Sequence, residues 1–203
     1  MTKTVITGHT YGIGKVLCEH YNAVGLSRSN GYDIDKDFDR VVEQIQGADL
    51  FINNAYRDKQ QLRLFDAVKH SVGKIVCMGS ISRLYPDLIL TDYVNDKQEL
   101  YKAMQLHSLT PGSCPTLHLD LSFIESTDVN LDDPTNFTSD NHISFREIVN
   151  AIDFWLENPK VKNIEFEWKL TPFVYEQLKR ANPDHTALDA LYASSAAVAS
   201  GHH

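Results

Sequence analysis

The segment Thr7-Gly8-His9-Thr10-Tyr11-Gly12-Ile13-Gly14 constrains this chain more than any other stretch. It follows the apolar run Thr4-Val5-Ile6 and precedes Val16, Leu17, His20 and Tyr21, which recur at helical spacing. A strand that breaks into three glycines and re-emerges as a helix brings backbone N–H groups up to a pyrophosphate at the helix N-terminus. Gly8 and Gly12 allow tight turning and close backbone approach. Gly14 lets the helix pack near the strand.

The remaining pattern alternates strands with helices. Short apolar runs over 23–27, 49–53, 74–78 and 116–119 read as strands, the run 74–78 as one buried on both faces. Phe38, Val41, Val42 and Ile45 mark one helical face, with Asp35 or Asp37 expected to cap its start. Leu62, Phe65 and Val68 mark a further helix, and 93–107 reads as a long one. Ser144-Phe145-Arg146-Glu147 is a capping box that opens a helix with Ile148, Ile152 and Trp155 inward. Ile164, Phe166, Trp168 and Leu170 alternate with charged residues, as in a half-buried strand at a sheet edge. This order predicts a single-domain α/β protein with a Rossmann-type, doubly wound parallel sheet and helices on both faces. The domain spans 1–171, followed by a helical extension over 172–200. The closing Gly201-His202-His203 is set apart as a purification-tag remnant.

Acidic residues outnumber basic ones, 27 to 19, for a formal charge of -8, which argues against nucleic acid or an anionic membrane as partner. Three scattered cysteines and no signal-peptide pattern point to a reducing cytoplasm. His107, Cys114, His118 and Asp120 lack compact ligand spacing, so no metal is expected. Cys77 reads as a small core residue.

Thr-Gly-x-x-x-Gly-Ile-Gly from Thr7 resembles the short-chain dehydrogenase/reductase family, of which this chain would be a shortened member. Further features fall in the order that this resemblance implies. After the second strand many relatives carry an acidic residue for the adenosine ribose. Here Ser27, Arg28 and Ser29 stand in that place. An uncharged residue followed by Arg suits a 2′-phosphate, because guanidinium forks onto phosphate oxygens and no carboxylate repels them. NADP is therefore the implied cofactor, ahead of NAD. Asp33-Ile34 matches the pair that contacts adenine. Asn53-Asn54-Ala55 matches a family segment that steadies the sheet and lines the cofactor ribose, with Tyr56 where relatives have glycine. Thr10, Tyr11 and Ile13 complete the phosphate loop. Ile124 and Ser126 are the best match to the residues that hold the nicotinamide amide, and the polar stretch 127–141 is the candidate substrate lid.

The catalytic candidates implied are Ser80, Tyr93 and Lys97. Tyr and Lys four apart share a helical face. There the ammonium is expected to lower the Tyr93 pKa from about 10. Tyr93 would exchange a proton with the substrate oxygen, Ser80 would hydrogen-bond that oxygen, and Lys97 would also hold the nicotinamide ribose. Ser80 is preferred to Ser82 because it lies thirteen residues before Tyr93. Only nineteen residues separate Ala55 from Ile75, and no Asn occurs between Tyr56 and Tyr93. The family's fourth catalytic residue, an Asn that anchors a relay water, has no counterpart here. Asp92 and Asp96 flank Tyr93, where a carboxylate would oppose ionisation. The implied function is an NADP-dependent oxidoreductase acting on a small carbonyl or alcohol, as a homo-oligomer (dimer or tetramer). The alternative is a dinucleotide-binding sensor or scaffold without turnover.

Overall fold

The computed structural model describes residues 2–84, 92–122, 124, 143–166, 186 and 189. Among them, six parallel strands form one sheet in the order β2-β1-β3-β4-β5-β6. The strands are β1 (Thr4–Thr7), β2 (Val24–Leu26), β3 (Leu50–Asn53), β4 (Ile75–Met78), β5 (Thr116–Asp120) and β6 (Asn163–Glu165). The helices are α1 (Gly12–His20), α2 (Phe38–Ile45), α3 (Gln60–Val68), α4 (Asp92–Ser108) and α5 (Phe145–Glu157).

Every residue of β1, β3, β4 and β5 is buried, because helices cover both faces. Successive side chains of one strand therefore enter different cores. Val5, Phe51, Ile75 and Cys77 pack against Val41 and Ile45 of α2, Leu64, Phe65 and Val68 of α3, and Leu100 and Met104 of α4. Ile6, Ile52, Val76, Leu117 and Leu119 pack against Leu17 of α1 and Ile148, Ile152 and Trp155 of α5. Cys77 is a core residue whose thiol is pushed up to about 12 by burial.

Two local expectations meet different outcomes. The capping box of α5 forms, with the Glu147 N–H donating to Ser144 Oγ at 3.3 Å and the Ser144 N–H to Glu147 Oε2 at 2.8 Å. Removing it in Ser144→Ala is expected to lower the unfolding free energy by about 1 kcal/mol. Urea unfolding would read this, and an unchanged midpoint would mean that water serves the helix end equally well. The acidic cap of α2 does not form. Asp37 occupies the N-cap position, but its carboxylate accepts the Asp33 N–H at 3.0 Å, closing the preceding turn instead. The edge strand is described only through Phe166. Its expected continuation through Trp168 and Leu170 and most of the 172–200 extension lie outside the described residues.

The connection after β1 runs outward to β2, whereas β3 lies on the other side of β1. Such a reversal opens a crevice at the carboxyl ends of β1 and β3. The residues that follow Thr7, Leu26, Asn53, Met78 and Asp120 all emerge on this edge.

Candidate active site

A cleft of about 980 Å³ opens at that edge. Of the residues singled out in the sequence, Gly8, Thr10, Tyr11, Gly12, Ile13, Gly14, Ser27, Arg28, Ser29, Asp33, Ile34, Asn54, Ala55 and Ile124 all line it. Asn53 does not. It is fully buried, and its Nδ2 donates to the Gln61 carbonyl at 2.8 Å, tying β3 to α3. Ser126 and the stretch 127–141 lie outside the described residues.

The glycine loop is built as its spacing requires. Gly8 and Gly12 take φ of +74° and +56°, a region that L side chains rarely adopt. A Cβ on Gly14 would stand 2.0 Å from the Gly8 carbonyl oxygen, so α1 can start this close to β1 only with glycine there. Asn54 locks the same corner. Its Nδ2 donates to the carbonyls of Thr7 (3.0 Å) and Gly8 (3.1 Å), while Thr7 Oγ1 accepts the N–H groups of Asn54 (3.1 Å) and Ala55 (3.0 Å). Tyr11 is the N-cap of α1 and gives no side-chain hydrogen bond to it, and the first turn carries no acidic residue. The leading N–H groups of α1 therefore reach the cleft without an internal side-chain acceptor.

After β2 the chain forms a 3-10 turn, Arg28–Asn30, which the sequence pattern does not foretell. Asn30 holds it, accepting the Ser27 N–H at 2.9 Å and donating to the Gly25 carbonyl at 2.8 Å. Arg28 is exposed and has no carboxylate partner among the described residues. Arg57, by contrast, lines the same cleft but lies 3.5 Å from Asp35.

At the other end of the cleft Tyr56 meets Tyr93 edge-on, with ring centroids 4.8 Å apart. Tyr93, in the first turn of α4, is hydrogen-bonded to Ser80 after β4, and Ser80 Oγ lies 2.7 Å from Ser82 Oγ. Lys97 Nζ, one turn on, lies 5.4 Å from the Tyr93 ring centre and 5.1 Å from that of Tyr56. Ser80, Tyr93 and Lys97 are thus brought together, and Ser80 rather than Ser82 is the serine bonded to Tyr93.

The electrostatics differ from expectation. Although the residue is 36% exposed, partial desolvation raises the Tyr93 pKa above its ordinary value, against the opposing hydrogen bond from Ser80. The lowering expected from Lys97 is not found, because the ammonium sits beneath the ring and spends its hydrogen bonds elsewhere. Burial also lowers Lys97, to about 8. The flanking carboxylates are not responsible for the Tyr93 shift. Asp92 is exposed, and Asp96 is buried and accepts the Tyr56 hydroxyl at 3.0 Å. That bond, with burial the larger cause, raises the Tyr56 pKa.

Two residues stood out only in three dimensions. Gln61 contacts Lys97, and nothing in its sequence context marks it. Arg83 is buried and grips Asp120 with two hydrogen bonds, one of 2.7 Å from Nε, while its guanidinium lies 3.6 Å from the Tyr101 ring centre. This clamp fixes the turn after β4, and hence Ser80, against β5. Among the described residues no three His, Cys, Asp or Glu could hold a metal ion. His107 pairs with Cys114 at 3.5 Å, and His118 lies 3.3 Å from Asp120. No helix among them is long and apolar enough to cross a membrane.

Comparison with solved structures decides the architecture. A 4-hydroxyisoleucine dehydrogenase complexed with NADH superposes with a TM-score of 0.62 at 14% identity, over 84% of this chain and 99% of that one. The fold is that of the short-chain dehydrogenases. A short-chain dehydrogenase from Sphingobium yanoikuyae in complex with NADPH matches at TM-score 0.61 and 14% identity, over 100% of this chain and 96% of its own. A bulky-bulky ketone specific alcohol dehydrogenase from Comamonas testosteroni matches at TM-score 0.62 and 17% identity, over 89% and 92%. No family model and no curated protein matches the sequence. On the short-chain dehydrogenase fold this sheet has six described strands, with β2 at its edge and only the 3-10 turn and a short loop between β2 and α2.

Proposed function

We propose that the protein is an NADP-dependent oxidoreductase that interconverts a small carbonyl compound and its alcohol. One observation carries this reading. A single cleft runs from the start of α1 and the exposed Arg28 to Tyr56, whose ring rests on the Ser80–Tyr93–Lys97 cluster.

The residues present suit a dinucleotide. The bare glycine backbone and the leading N–H groups of α1 favour a pyrophosphate. Arg28, flanked by the hydroxyls of Ser27 and Ser29, suits a 2′-phosphate, and no carboxylate stands at position 27 to repel one. Asp33 and Ile34 would border the adenine, Asn54 and Ala55 the ribose, and Ile124 the nicotinamide side. The bound nicotinamide would supply or take up hydride. Tyr93 would deliver a proton to the carbonyl oxygen, and its raised pKa keeps that proton on the phenol at neutral pH. Ser80 would donate to the same oxygen. The Lys97 ammonium, with one N–H left beyond those given to Gln61 and Met78, would hold the nicotinamide ribose, up to the pH near 8 at which it loses its own charge.

Calorimetric titration with NADPH and NADH tests the cofactor. Arg28→Ala is expected to weaken NADPH about tenfold or more, the loss of a charge-assisted hydrogen bond, with little change for NADH. Equal loss for both cofactors would remove the 2′-phosphate argument. A second reading, dinucleotide binding without turnover, is favoured by the missing Asn. Binding without carbonyl-dependent NADPH oxidation would select it.

A further inference from the structure

We propose that Gln61 is the positioning residue of the Lys97 ammonium, fixing it beneath the Tyr56 and Tyr93 rings and stabilising its charged form. The inference rests on the oxidoreductase reading for its meaning but not for its geometry.

Gln61 lies in the first turn of α3 and is 2% exposed. Its Nε2 donates both hydrogens to main-chain carbonyls at the ends of neighbouring strands, Asn53 O at 2.6 Å and Met78 O at 3.1 Å. A flipped amide would aim its oxygen at those two carbonyl oxygens, so the orientation is determined. Oε1 must then face Lys97, whose Nζ donates to it at 2.7 Å. The Gln61 main-chain carbonyl in turn accepts from Asn53 Nδ2. The side chain is held on every polar atom.

Lys97 is 3% exposed, and its second acceptor is Met78 O at 2.7 Å. Six titratable groups surround it: Tyr93 and Asp96 on α4, Tyr56 before α3, Cys77 on β4, and His118 and Asp120 on β5. Neither carboxylate forms an ion pair with it among the described residues, since Asp96 accepts from Tyr56 and Asp120 is held by Arg83. The carboxylates favour the ammonium through space, while two neutral oxygens take its hydrogen bonds, and one of them belongs to Gln61. A neutral acceptor leaves the ammonium able to release its proton near neutrality, where an ion pair would not.

The test uses full-length protein labelled at the lysine side chains, with no nucleotide added, and follows the Lys97 NMR signal, assigned with Lys97→Met, against pH. The wild-type midpoint is expected near 8. Gln61→Met removes the acceptor and is expected to lower it by about one pH unit or more, a tenfold loss of proton affinity. Gln61→Glu places a carboxylate there and is expected to raise it. The basic limb of the pH–rate profile should move with each midpoint. Should either variant misfold, the wild-type protein still decides: Gln61 side-chain amide protons should exchange as slowly as core backbone amides. Rapid exchange, or a Lys97 midpoint that ignores both substitutions, overturns the proposal. A responsive Lys97 in a protein that never oxidises NADPH keeps the Gln61 role and discards the oxidoreductase. Tyr93-dependent turnover with an unresponsive Lys97 does the reverse.

Discussion

Tyr93→Phe is expected to reduce carbonyl-dependent NADPH oxidation by about 10²–10⁴-fold, the usual contribution of a positioned general acid. The substitution removes one oxygen. The ring keeps its edge-on contact with Tyr56, and Ser80 keeps its bond to Ser82, so packing is preserved. NADPH affinity, measured by calorimetry on the same preparation, should stay within about twofold, because the phenol is not among the groups proposed to hold the phosphates. The pH dependence separates this role from a packing role. Partial desolvation raises Tyr93, so the proton to be given is present throughout the neutral range. Burial lowers Lys97 to about 8, so reduction should hold below that pH and decline above it. Wild-type turnover in the Tyr93→Phe protein would remove this residue from the chemistry and leave the binding reading.

Arg83→Met is expected to cost about 3–5 kcal/mol of stability at pH 7, the usual effect of stripping one partner from a buried ion pair. Asp120 is fully buried. Burial pushes its pKa up, but the hydrogen bonds and charges of His118 and Arg83 more than offset this, and the carboxyl ends below its ordinary value. A depressed carboxyl contributes stability above its unfolded pKa, near 4, and loses it as pH falls through the folded value. Without Arg83, His118 alone opposes the effect of burial and the Asp120 pKa rises. Protonation then relieves the buried charge at a higher pH than in the wild type, so the variant's deficit should shrink as pH is lowered from 7 toward 5. Urea unfolding at the two values measures this, and an equal loss at both would show that lost packing over Tyr101 is the larger effect. Arg83→Met combined with Asp120→Leu should recover much of the loss, since a fully apolar replacement leaves no buried charge. The single variant should also lose turnover, because Arg83 anchors the turn that carries Ser80.

Much of the architecture was legible from local signals. The apolar runs at 74–78 and 116–119, the helical spacing of Phe38, Val41, Val42 and Ile45, and the Ser144–Glu147 box each depend on residues close in sequence. The same holds for the glycine loop, where Gly14 answers a steric demand made six residues away. The Tyr-x-x-x-Lys pair is likewise readable, because helical geometry alone puts Tyr93 and Lys97 on one face. Positions whose role depends on distant partners were not readable. Asp37 looked like a cap and became the acceptor of a turn. Asn53 looked like a cleft residue and faces inward, because the period-two alternation of β3 turns it toward α3.

By itself, then, the sequence determined the strand–helix order, the glycine loop and the identity of the clustered Ser80, Tyr93 and Lys97, all set by short-range sterics and hydrophobic periodicity. Only the tertiary structure decided how those groups ionise. Desolvation sets the charge of Lys97 and Tyr93, and the Lys97 acceptors on Gln61 and Met78 arrive from α3 and β4, elements that no local pattern brings to α4. Desolvation depends on the assembled structure, and at the half-exposed Tyr93 even partial desolvation reversed the expected direction of the shift.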